Sequence, residues 1–211
     1  MERQLPSLLV MVAIAAAAFA PVPVRTAGVQ SPVQVFQAAD PELGAALERI
    51  ARGSPSWRMA MAAVAATGRT AVVLTPDQVV VLDASSPSLR PFDRSDVAEV
   101  SPVVDGGGNV QAVLVVVNVE RIQAVHERLA SLPGEFHADL ERVLAHEVYG
   151  HAVPYLLAGH VSGRCADPAP GMPATDACAI QRENVVRGEL RLGRRTDGAL
   201  SSLALARRSR D

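Results

Sequence analysis

The sequence predicts an α+β protein in which a small antiparallel sheet packs against helices. Three observations carry this. Apolar residues recur at helical spacing up to Gly68, β-branched runs fill residues 70–119, and helical spacing returns from Glu120 onward. Helices, then strands, then helices again is the order of a segregated chain, not of an alternating α/β one.

The elements follow in order. Residues 1–28 read as a signal peptide and leader: Arg3 precedes an apolar run from Leu8 to Ala20 that ends in small residues. That run falls short of the roughly 20 residues a membrane span needs, so no stable membrane anchor is expected after cleavage. Residues 29–211 are expected to form a single domain. Asp40-Pro41 opens a helix with a cap and a first-turn proline; Leu43, Leu47 and Ile50 form its apolar face, and Gly53 ends it. Ser56 to Ala66 reads as a second helix ending at Gly68. Thr70–Leu74 and Gln78–Leu82 flank a Thr-Pro-Asp turn and predict a hairpin. Ser85 to Ser95 reads as a surface loop. Val97–Val104 and Val110–Val119, separated by Asp105-Gly106-Gly107-Gly108, predict a second hairpin. The glycine run precedes a strand, so a phosphate loop is not expected there. A helix follows from Glu120 to Leu132, stopped by Pro133-Gly134, and the next starts near Phe136 and runs to about 158.

Composition excludes several functions. The 211 residues carry a formal net charge of −2, unlike a nucleic-acid binder driven by a basic surface. All basic side chains are Arg, so no Walker-type phosphate lysine or Schiff-base lysine exists. The two cysteines, Cys165 and Cys178, bracket a Pro/Gly-rich stretch and are expected to form a disulfide in an exported chain, periplasmic or extracellular.

The chemistry concentrates in HEVYGH, His146 to His151. Leu140, Val143 and Leu144 make an apolar stripe whose continuation brings His146 and Glu147 to the same side. An adjacent His-Glu pair followed by a second His is a metallopeptidase pattern. Two imidazoles hold zinc, and the Glu takes a proton from the attacking water. Here the histidines are five apart. At about 100° per residue they would lie roughly 140° apart around a regular α-helix. The extra residue therefore calls for a widened, π-type turn between His146 and Pro154. Gly150 loosens the backbone, and Pro154 cannot donate to the Gly150 carbonyl.

HEVYGH resembles the HExxGH zinc motif of the dipeptidyl-peptidase III family, and QRENVVR extends the likeness weakly. The resemblance implies a zincin-like fold of the gluzincin type, with a Glu on a later helix completing the zinc site. It also implies an antiparallel edge strand beside the active-site helix, a part the Val110–Val119 run would play. It extends no further along the chain.

Glu183 is the expected third ligand, because Ile180, Glu183, Arg187 and Leu190 share one helical stripe. Arg187 would orient Glu183 or hold a substrate carboxylate, with Asn184 and Tyr149 as further supporting or substrate-binding residues. His160 is the rival ligand. Asp167 and Asp176 rank below it because both fall inside the disulfide loop. His126 and His137 read as surface or satisfied polar residues. Tyr149 and Tyr155 are candidate donors to a transition-state oxyanion or are core residues. The expected function is thus a secreted zinc peptidase acting on a peptide or protein substrate, with Glu147 as general base. The alternatives are a zinc-stabilised binding protein without catalysis, and a structural envelope domain with an incidental motif.

Overall fold

The computed structural model describes residues 36–38, 40–78, 93, 96–128, 135–161 and 174–195. Several expectations lie outside these residues: the signal and leader, the strand beyond Gln78, most of the Ser85–Ser95 loop and the stop at Pro133-Gly134. Cys165, Asp167 and the C-terminal tail lie outside them too.

The fold is α+β. A strand β1 (Phe36–Ala38) leads into two consecutive helices, α1 (Pro41–Gly53) and α2 (Pro55–Thr67). Asp40 caps α1 by accepting from the backbone N–H groups of Glu42 and Leu43 at 2.9 and 3.0 Å. Ser54 closes α1 and opens α2: its N–H bonds the Ile50 carbonyl, and its hydroxyl accepts from Trp57 N–H. Each proline sits at a first helical position, where a missing N–H costs nothing.

The sheet corrects one expectation. It has four strands in the order β1-β2-β4-β3, with β2 Thr70–Leu74, β3 Ala98–Val104 and β4 Val110–Val117. Only β3 and β4 are antiparallel; β1, β2 and β4 run parallel, so the sheet is mixed. The segment after β2 is a single 3₁₀ turn, Pro76–Gln78. β2 pairs with β1 and β4 instead of with that segment, and buries Ala71 and Val73. A local β-branched run shows that a strand exists, but not which distant strand it joins.

The second hairpin forms as expected. Asp105 accepts from the N–H groups of Gly107 and Asn109, and Gly108 takes the left-handed conformation at φ 79°. β4, flanked on both sides, buries Val113, Val115, Val116 and Val117. The antiparallel edge strand is therefore β3, not the Val110–Val119 run, with β1 at the other edge, and β3 is the strand that lies against the site helix most extensively. Pro102 fits an edge, where a missing donor breaks no inner ladder.

α3 (Val119–Arg128) follows, and then one continuous helical stretch: α4 (Glu135–Leu144), a π-helix (Ala145–Ala152) and α5 (Val153–Ala158). The last helix is α6 (Ala174–Glu189). Leu43, Ile50, Val64, Val73, Val113, Leu140, Leu144, Val148 and Leu156 join helices and sheet in one aliphatic core. α5 ends at Gly159 (φ 75°), whose carbonyl accepts from Val110 N–H while Arg69 bonds the Leu156 carbonyl. The C-terminal end of the site helix is thus tied to the sheet. Among the described residues, no helix is long and apolar enough to cross a membrane.

Candidate metal centre

The widened turn expected between His146 and Pro154 is present. The Val153 N–H bonds the carbonyl of Val148, five residues back, within the π-helix Ala145–Ala152. With i→i+5 bonding, residues five apart come to lie above one another, as residues four apart do in an α-helix. His146 and His151 therefore face each other, with Nε2 to Nε2 at 3.3 Å. Their rings meet edge to face, with centroids 4.8 Å apart.

Two features of neighbouring chain hold this turn. Pro154 leaves the Gly150 carbonyl without its α-helical donor, and Arg182 of α6 donates to it at 3.0 Å. Gly150 also lets α6 approach closely. A Cβ built there would stand 2.8 Å from the Ala179 Cβ and 3.0 Å from its Cα. α6 crosses the π-helix at this contact of small residues and so lays its own acids beside the histidines.

Asp176 is the acid that completes the group. One ligand atom each from His146, His151 and Asp176 lie within 4.8 Å of one another. Asp176 Oδ1 is 3.7 Å from His151 Nε2. Two ligands each about 2.1 Å from a tetrahedral ion sit roughly 3.4 Å apart, close to the 3.3 Å between the histidine nitrogens and the 3.7 Å from His151 to Asp176, so this nitrogen-nitrogen-oxygen group could hold a metal ion. The sequence placed Asp176 in a loop, yet it lies in the first turn of α6, which starts at Ala174.

Glu183, the expected third ligand, stands elsewhere. Its Oε2 contacts His146 Nδ1 at 2.5 Å, on the ring nitrogen turned away from His151. Its Oε1 accepts from Arg187 at 3.0 Å, and Arg195 lies 3.6 Å from Oε2. Glu183 is fully buried, and Arg187 and Arg195 nearly so. Arg187 also donates to the Gly193 carbonyl, which commits it to the interior and not to a substrate. Asn184 exchanges hydrogen bonds with the backbone N–H and carbonyl of Arg195, both at 2.7 Å. The chain after α6 is thereby folded back so that Arg195 enters the site from behind, through Arg191 in the left-handed conformation at φ 58°. No sequence signal pointed to Arg195, which sits just past the end of the helical pattern.

The electrostatics follow from these contacts. Burial works against charge on His146, but the Glu183 hydrogen bond and the nearby Glu147 and Glu183 charges outweigh it and raise its pKa. Burial pushes His151 down to about 4, helped by His146 and Arg182, so its ring is neutral at pH 7, as a ligand must be. Burial would raise Glu183, yet the His146 hydrogen bond and both arginines hold it low. Glu147 is raised, chiefly by burial, with Asp176 and Glu183 adding to the effect against His146 and Arg195.

Tyr149 stacks on Trp57, with centroids 6.2 Å apart, and its phenol meets Ser56, so it belongs to the α2 contact and not to the histidines. Burial raises the pKa of Tyr155, with Arg182 acting against it and Asp176 adding to it. His160 is exposed and contacts the Ala158 carbonyl, outside the His–His–Asp group. His126 is satisfied by Asp139 at 3.2 Å, and His137 is largely exposed. Cys178 is buried in α6, and its expected partner, Cys165, lies outside the described residues. Comparison with protein-family models, curated proteins and solved structures returns no match.

Proposed function

We propose that this protein is an exported zinc-dependent peptidase. The observation that carries the reading is the π-helix, which turns two histidines five residues apart into a facing pair at 3.3 Å. A π-turn costs regular hydrogen bonding and recurs at functional sites. Here it does for His146 and His151 what a regular helix does for histidines four apart.

When bound, zinc supplies Lewis acidity toward a carbonyl and toward water. His146, His151 and a carboxylate from α6 would hold it. Glu147, next to His146, accepts the proton of the attacking water and passes it to the leaving amine. Its raised pKa, with burial as the main cause, suits a group that must both take and release a proton. Tyr155, a neutral phenol that feels the charge of Asp176, is the candidate donor to an oxyanion. The outer edge of β3 pairs with no other strand among the described residues, and β3 runs beside the π-helix. An extended peptide can add to such an edge as a further strand.

Glu147→Gln tests the reading. It keeps the shape of the side chain and removes its basicity. Zinc should stay stoichiometric by elemental analysis, while hydrolysis of a mixed peptide library falls by about 10²–10⁴-fold. A variant that cleaves as fast as the wild type defeats the proposed mechanism. If both proteins hold zinc and neither cleaves, the non-catalytic binding role takes its place.

A further inference from the structure

α6 presents two acids to the histidine pair, Asp176 and Glu183, seven residues apart on one face of the helix. Resting on the zinc reading above, the geometry assigns them different roles: we propose that Asp176 is the third metal ligand and that Glu183 is a positioning residue acting through His146.

The two acids differ first in where they meet the rings. Asp176 reaches the Nε2 side, where the two imidazoles converge. Glu183 reaches Nδ1 of His146, and the two nitrogens of one imidazole point away from each other. A group bonded to Nδ1 therefore cannot also meet an ion held at Nε2. It can fix the tautomer: with Nδ1–H donated to Glu183, the lone pair of His146 is left on Nε2, facing His151.

They differ also in what already engages them. Both oxygens of Glu183 are committed, Oε1 to Arg187 and Oε2 to His146, with Arg195 close by. A carboxylate neutralised by two buried guanidinium groups is a poor donor to a cation. It is a good anchor for an imidazole, because its own position is fixed from two sides. Asp176 is about one-fifth exposed, and its one polar side-chain contact among the described residues is the approach to His151. It is placed to accept an ion and leaves a solvent-facing side open for water or substrate.

The roles separate by metal binding measured without reference to catalysis. Zinc affinity is read by competition titration on the full chain, and cobalt is substituted to report the coordination shell through its visible absorption. Asp176→Asn should bind zinc at least about 100-fold more weakly, and its saturated cobalt spectrum should lose intensity as water replaces a protein ligand. Asp176→His, which restores a donor, should recover most of the affinity. Glu183→Gln should weaken zinc by about 10–100-fold, as loss of an outer hydrogen-bond partner does, and its saturated cobalt spectrum should match the wild type. Should Glu183→Gln fail to fold, the two Asp176 variants still decide. Wild-type affinity and an unchanged cobalt spectrum in Asp176→Asn would overturn this assignment while leaving the zinc reading intact. A wild-type chain that binds no zinc overturns both.

Discussion

Replacing Gly150 by Ala should destabilise the protein and loosen its metal group, against the usual effect of that change. In an ordinary helix interior, Ala is more stable than Gly by about 0.5–1 kcal/mol. Here the added Cβ would lie 2.8 Å from the Ala179 Cβ, 3.0 Å from its Cα and 3.1 Å from its carbonyl oxygen. Carbon–carbon contacts settle at about 3.5–4.0 Å, so α6 would have to recede by roughly 0.7–1.2 Å. Two of the three obstructing atoms are backbone, so no side-chain rotation relieves the clash. Overpacking of this kind costs about 1–3 kcal/mol, enough to reverse the sign of the propensity gain. The displacement acts on the helix that carries Asp176, Arg182 and Glu183, which meet the π-helix at 3.7, 3.0 and 2.5 Å. Urea melts of metal-free protein read the stability, and competition titration reads zinc, which should weaken by about 10–100-fold. Ala179→Gly removes the nearest of the three atoms but leaves the two backbone ones, so it should restore part of both losses in the double variant, a coupling of about 0.5–3 kcal/mol. If Gly150→Ala is as stable as the wild type or more so, with unchanged zinc affinity, the close crossing of α6 is not what sets this site.

Three further outcomes are expected. Arg195→Met removes one cation from the buried set around Glu183 and should cost about 3–5 kcal/mol in urea melts; a loss below about 1 kcal/mol would show that Arg187 alone satisfies that acid. Glu189 ties α6 to the start of α2: burial works to raise its pKa, but hydrogen bonds from Ser54 and Ser56 outweigh this and lower it. Its stabilising effect is therefore complete above the ordinary Glu value of about 4.3 and is lost as pH falls through the lowered folded value. Between pH 5 and pH 3 the melting temperature should fall further in the wild type than in Glu189→Gln, and parallel slopes would refute the link. For the proposed Cys165–Cys178 disulfide, protein made in an oxidising compartment should show no alkylated thiol by intact mass without reductant. Reduction should cost about 3 kcal/mol in the chain-entropy model, and two alkylated thiols would disprove the bridge.

What could be read in the sequence was what local chemistry decides. Asp40-Pro41 fixes the start of α1, the Asp105–Asn109 turn fixes the β3–β4 hairpin, and Gly150 with Pro154 opens the π-turn. Each rests first on residues within a few positions of one another, although Arg182 of α6 also helps to hold the π-turn. The pairing of β2 with β1 and β4 does not have that property. Thr70–Leu74 is equally compatible with a hairpin partner a few residues on and with a parallel partner forty residues away. The choice falls to whichever arrangement buries Ala71 and Val73 beneath the helices.

The roles of the two acids on α6 were hidden for the same physical reason, at a finer scale. The sequence ranked Asp176 below Glu183 because it falls inside the expected disulfide loop, whereas α6 begins at Ala174 and sets both acids on one helix face, seven residues apart. What separates them is where α6 crosses the π-helix, and that is set by the Gly150–Ala179 contact. With the crossing at Ala179, Asp176 lies three residues to one side and Glu183 four to the other. The first then reaches the Nε2 side of the histidine pair and the second reaches behind His146. Arg195 completes the distinction, because the chain must first reverse after Arg191 before its guanidinium can stand beside Glu183. A slide of α6 along its own axis would carry both acids past the histidine pair together, without altering a single letter of the motif. The spacing of HEVYGH therefore brings two imidazoles together, while a glycine–alanine contact beside them sets which carboxylate of α6 stands next to the pair.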